Sequence, residues 1–86
     1  MGELPAPLDG NAIGGLLRDV FGAEMTAAVG TCAVCGAAGP LAECLVYLQA
    51  PGTVLRCRVC RSVLMVVVTR GDRNCVDLQG MESLQM

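Results

Sequence analysis

Residues 32–60 read CAVCGAAGPLAECLVYLQAPGTVLRCRVC, a stretch that begins and ends on a pair of cysteines spaced CxxC. Cys32 with Cys35 and Cys57 with Cys60 enclose a 21-residue insert, residues 36–56, whose pattern reads as a β-hairpin. A two-residue spacer lets a tight turn aim both sulfurs at one point while backbone N–H groups hydrogen-bond to them. Two such turns brought together by a hairpin make a four-sulfur tetrahedral site. The candidate ligands are Cys32, Cys35, Cys57 and Cys60, and the expected occupant is one Zn²⁺ per chain. A rubredoxin-type iron site uses the same ligand pattern. Two redox disulfides are the competing reading, but that chemistry expects a CxxC opening a helix, and neither pair is followed by a helical pattern.

Working outward from the insert, Leu41 to Ala50 alternates. Ala42, Cys44, Val46, Leu48 and Ala50 form an apolar face, with Glu43, Tyr47 and Gln49 on the other. Pro51 and Gly52 occupy the turn, and Thr53 to Arg56 return the chain to the second pair. Gly36, after the first pair, is free to take a positive φ. Upstream, Glu24 to Thr31 reads as a short strand. Ahead of it Ile13, Leu16, Leu17, Val20 and Phe21 fall on one helical face, with Asp9 as N-cap and Gly22 as C-terminal stop, which predicts a helix over about residues 9–22. Gly10, Gly14 and Gly15 weaken that helix, so it needs packing to persist.

Downstream, Ser62 to Thr69 is an unbroken apolar run, expected to be a central strand covered on both faces. After a turn at Gly71 to Arg73, Asn74 to Leu78 is expected to be a last antiparallel strand with Val76 and Leu78 inward and Cys75 and Asp77 outward. The resulting organisation is a tail over residues 1–8, one domain over 9–80 and a C-terminal tail over 81–86. The fold class is a small α+β zinc ribbon, an antiparallel sheet with two CxxC knuckles and one N-terminal helix.

Composition limits the function. An 86-residue chain with only Phe21 and Tyr47 as aromatics buries a modest core, so a metal staple is physically motivated. The formal charge is −2, and no stretch is strongly basic, which argues against non-specific nucleic-acid binding. The chain contains no His, so neither a catalytic zinc of the usual kind nor a His-based general base is expected, and no enzymatic activity is read from it. No apolar run reaches membrane-spanning length and no targeting segment is seen, so a cytoplasmic location is expected, where thiols favour metal ligation over disulfides. Cys44 reads as a small core residue and Cys75 as an incidental strand residue. Arg56, Arg58 and Arg61 either neutralise a Zn(Cys)₄ centre of formal charge −2 or form a partner-binding patch. The apolar fraction of 53% implies exposed apolar surface, and hence docking on another protein or self-association through Val63 to Val68 and its neighbours.

Leu8-Asp9-Gly10-Asn11-Ala12, the CxxCG of Cys32 to Gly36, the CxxC of Cys57 to Cys60 and Asp77-Leu78-Gln79-Gly80 together resemble the short zinc-ribbon proteins of unknown function from high-GC actinobacteria. The resemblance runs from about Leu8 to Leu84, and the Arg-only basic set agrees with a high-GC source. It implies the ribbon fold and its metal, and brings no activity. The ribbon half is also similar to the zinc domain of hydrogenase-maturation nickel chaperones. Those begin with a Met-His-Glu nickel site, whereas Met1-Gly2-Glu3 has no His.

Overall fold

A computed structural model of the chain describes residues 8–49 and 52–85. Residues 1–7, most of the expected N-terminal tail, and Ala50 with Pro51 at the expected turn lie outside the described residues. In chain order the elements are β1 (Leu8–Asp9), a 3₁₀ turn (Gly10–Ile13), α1 (Gly14–Phe21), β2 (Val29–Cys32), β3 (Ala38–Pro40), a second 3₁₀ turn (Leu41–Glu43), β4 (Leu45–Gln49), β5 (Gly52–Arg56), β6 (Val63–Arg70), β7 (Arg73–Asp77) and β8 (Met81–Gln85). They form two antiparallel sheets, one ordered β1-β4-β5-β6-β7 and the other β3-β2-β8. This is the expected small α+β ribbon, and among the described residues no helix is long and apolar enough to cross a membrane.

The helix is split where its glycines fall. Asp9 accepts from the Asn11 N–H at 3.1 Å and so caps the 3₁₀ turn, and the α-helix proper begins at Gly14. Gly10 is buried, and a Cβ built on it would lie 1.7 Å from the Leu41 carbonyl oxygen; its smallness lets the two 3₁₀ turns touch. Gly22 ends the helix as expected, at φ 74° with its N–H on the Arg18 carbonyl. Leu17 is fully buried and joins Met25, Leu41, Leu55, Met65 and Val67 in one core.

Two strands start later than the sequence reading places them. The segment read as a strand from Glu24 is one only over Val29–Cys32, because the Glu24 carboxylate turns back onto the Thr26 N–H at 2.9 Å and onto its hydroxyl. The strand read from Leu41 begins at Leu45, since the Leu41 and Ala42 N–H groups bond to the carbonyls of Ala28 and Thr26. Its alternation places Cys44 and Val46 inward as expected but leaves Leu48 60% exposed. Among the described residues β1 flanks β4 only at Leu45 and Val46, so Leu48 has a neighbouring strand on one side alone.

The apolar run in β6 is not covered on both faces. The β5–β6 register slips between Leu55, which pairs with Met65, and Arg56, which pairs with Val63. Leu64 is the extra residue, and a bulge lets consecutive Leu64 and Met65 both reach the core while Val66 and Val68 stay half-buried. Val76 and Leu78 are not inward either. Val76 pairs with buried Val67, yet β7 is an edge strand and both side chains are 36% exposed. Finally, residues 81–85 are no tail. They form β8, paired with β2 from Val29↔Gln85 to Cys32↔Met81. A second register slip at Thr31/Cys32 puts half-buried Met81 and Leu84 three residues apart, which removes the two-residue alternation that marks a strand.

Candidate metal centre

The first knuckle leaves the end of β2 and the second leaves the end of β5, and the core between the two sheets holds them face to face. All four Sγ atoms of Cys32, Cys35, Cys57 and Cys60 lie within 4.8 Å of one another. Cys32 and Cys60 are 3.6 Å apart and Cys35 and Cys57 3.7 Å. A metal bound to sulfur at about 2.3 Å in a tetrahedron requires sulfur–sulfur edges of about 3.8 Å, so the donor set fits a tetrahedral thiophilic cation. Cys32 and Cys57, the first of each pair, are buried; Cys35 and Cys60 are exposed.

The knuckles repeat one another bond for bond. In the first, the Val34 N–H donates to Cys32 Sγ at 3.4 Å, the Gly36 N–H to the Cys32 carbonyl and the Cys32 N–H to the Ala37 carbonyl. In the second, the Val59 N–H donates to Cys57 Sγ at 3.4 Å, the Arg61 N–H to the Cys57 carbonyl and the Cys57 N–H to the Ser62 carbonyl. The residue after the second cysteine is left-handed in both, Gly36 at φ 76° and Arg61 at φ 66°. Gly36 met the expectation. Arg61 did not announce itself, because nothing in its residue type signals that conformation.

As thiols, Cys60, Cys57 and Cys35 do not titrate alike. The Ser62 hydroxyl, 3.2 Å from Cys60 Sγ, and the Ser62 N–H hold the Cys60 thiol down to about 6. Burial works against Cys57, but the N–H groups of Cys60 and Val59 and the Cys35 thiol together bring it below the ordinary value. The Ala37 N–H favours the Cys35 thiolate, yet burial and the thiols of Cys60, Cys57 and Cys32 outweigh it and push Cys35 up to about 11. Four thiolates at this distance would repel one another, and a divalent cation held by Cys32, Cys35, Cys57 and Cys60 would supply the charge that lets all four ionise.

The other sequence candidates separate from this centre. Cys44 is buried, and burial, followed by the nearby Cys57, pushes its thiol up to about 11, as suits a core residue. Cys75 is exposed on β7. Of the arginines, Arg58 pairs with Glu43 at 3.1 Å, while Arg56 lies 5.8 Å from the Tyr47 ring centroid and donates to the Arg61 carbonyl at 2.9 Å. Ser62 is the site residue that spacing alone did not reveal; a hydroxyl two positions after the last ligand was the available signal.

No curated protein and no solved structure matches the chain. The sequence profile of a family of unknown function, DUF6510, matches residues 4–86 and so takes in both knuckles and β8. The protein belongs to the DUF6510 family.

Proposed function

We propose that Cys32, Cys35, Cys57 and Cys60 hold one structural Zn²⁺ per chain, and that the ribbon so held is a non-catalytic protein–protein interaction or adaptor module in the cytoplasm. The observation that carries this reading is the four-sulfur cluster built from two equivalent knuckles. Four thiolates close a tetrahedron and leave no open position for substrate, which favours a structural over a catalytic metal. The interaction reading draws on what the knuckles display. Val34 is 70% and Val59 62% exposed at equivalent positions of the two turns, each an apolar side chain directed into solvent beside the centre.

Native mass spectrometry and metal analysis, before and after a chelator and followed by circular dichroism, test the metal. One zinc per chain with structure lost on its removal is the expected result; no metal, or a fold indifferent to its removal, would sink the assignment. Iron in place of zinc would keep the fold and change the ion.

Exposure of Cys35 and Cys60 favours one alternative, a metal-handling accessory protein of the kind the resemblance to nickel-chaperone zinc domains brings to mind. In that case metal would exchange with a competing chelator while the fold persists. A nucleic-acid-binding ribbon is disfavoured by the partners already held by Arg56 and Arg58 and would show as a steep fall of affinity with salt.

A further inference from the structure

Among the described residues β7 ends the larger sheet and is hydrogen-bonded to a strand on one side only. Its five residues, Arg73-Asn74-Cys75-Val76-Asp77, are all exposed. The direction of its free groups follows from the hairpin that makes it. Arg70 and Arg73 close a two-residue turn, Gly71-Asp72, with Gly71 at φ 61°. The closing pair of such a turn is hydrogen-bonded, and hydrogen-bonded pairs alternate along an antiparallel ladder. Val68↔Cys75 and Val66↔Asp77 are therefore hydrogen-bonded pairs too, which leaves the N–H and C=O of Asn74 and Val76 directed away from β6.

We infer that this edge pairs with the same edge of a second copy, antiparallel about a twofold axis at Cys75. The sequence of the strand is self-complementary about that residue. With Cys75 opposite its own copy, Arg73 faces Asp77 of the second chain and Asp77 faces its Arg73, while Asn74 and Val76 each exchange backbone bonds with the other. Cys75 then occupies a non-hydrogen-bonded pair, consistent with its own N–H and C=O being directed at β6. Displacing the axis along the strand breaks both Arg–Asp pairs, so charge selects the register as well as the partner.

Two further observations support a partner carrying both a carboxylate and an arginine. Arg73 sits directly opposite Arg70, a like-charge pair that a sheet tolerates poorly, and among the described residues Arg73 has no ion pair of its own. Asp77 uses Oδ1 to accept from the Gln79 N–H at 2.9 Å, which leaves its other oxygen for an arginine. The remaining edges are poorer candidates. β1 has two residues, β3 has three and includes Pro40 without a donor, and β8 reads Met81-Glu82-Ser83-Leu84-Gln85, with no charge complement to itself. The sequence places docking or self-association at Val63 to Val68 and its neighbours; β5 and β7 flank that strand, so the outward backbone edge belongs to its neighbour β7. The inference rests on the interaction reading above and is independent of the metal.

Charge reversal of the full-length, metal-loaded protein tests it by sedimentation equilibrium at millimolar concentration. Wild type is expected to dimerise, Arg73→Asp and Asp77→Arg each to weaken the dimer by at least about tenfold, and their equimolar mixture to restore it as a heterodimer. The mixture also controls for misfolding, since unfolded variants would not rescue one another. A short bismaleimide should join wild-type chains through Cys75 and fail on Cys75→Ser. A monomeric wild type, single variants that still dimerise, a mixture that does not recover or a crosslink elsewhere would each overturn the pairing. Zinc content measured on the same samples reports separately on the ribbon, and a wild-type dimer indifferent to charge reversal would leave the interaction reading standing while removing β7 from it.

Discussion

The two knuckles have the same backbone hydrogen bonds and the same left-handed residue after the second cysteine, yet they reach that geometry from different chemistry. In the first, Gly36 adopts φ 76° without a Cβ to object, and a Cβ placed there would meet open space. In the second, Arg61 adopts φ 66° against its own preference, and Arg56 grips its carbonyl at 2.9 Å. Convergence of the two on one four-sulfur cluster goes with a shared turn geometry rather than a shared residue type. The residue at the strained position is a secondary matter, costing about 1–2 kcal/mol where it is not glycine.

That comparison can be broken most decisively at the ligands. Cys32→Ala and Cys57→Ala should be equally damaging, each abolishing metal binding. The apparent zinc affinity of such sites, about 10–16 kcal/mol, is of the order of the whole stability of a small domain, about 5–15 kcal/mol. Metal content and far-ultraviolet circular dichroism check this; a fold that survives one substitution and not the other would show the knuckles to be unequal. Acidification acts in the same direction. The bound state needs every ligand deprotonated, so stability is present at neutral pH and is lost with the metal as pH falls.

Smaller effects sharpen the contrast at the left-handed position. Gly36→Ala should cost about 1–2 kcal/mol from backbone strain alone. Arg61→Gly should stabilise, because relief of that strain exceeds the roughly 0.5–1 kcal/mol that glycine loses in chain entropy. Thermal melts of the metal-loaded variants give both signs, and an Arg61→Gly variant less stable than wild type would mean that the Arg61 side chain makes up for its strain. Arg56→Met should cost about 1 kcal/mol in the wild-type background and less beside Arg61→Gly, where the turn no longer needs holding; a double-mutant cycle reads the difference. At the bottom of the scale, Val34→Ser and Val59→Ser should leave stability within about 0.5 kcal/mol, since both side chains stand in solvent. Any role they have lies in docking, which a binding assay would show and a melt would not.

Legibility followed the range of the interaction. The cluster of four cysteines, a helical segment stopped at Gly22 and the β4–β5 hairpin could all be read from residues close in sequence, because caps, turns and CxxC spacing act within a few residues; the start of the α-helix could not, since Asp9 caps a 3₁₀ turn and the helix begins at Gly14. Leu64 with Met65 and Met81 with Leu84 could not, since a bulge exists only relative to the strand that opposes it, and it erases the alternation by which a strand is recognised. The conformation of Arg61 was hidden for a similar reason: it is imposed by the need to bring Cys60 to the other three sulfurs.

The sequence by itself determined which four sulfurs meet, that a helix precedes them and that a hairpin joins them. Tertiary structure alone decided that residues 81–85 cross to pair with β2, that β6 lies inside its sheet and that β7 stands at the edge. Those outcomes depend on which strand finds which partner across the chain. Pairing of that kind is settled by the burial of Leu17, Met25, Leu41 and Met65 in one common core, with no local pattern that encodes it.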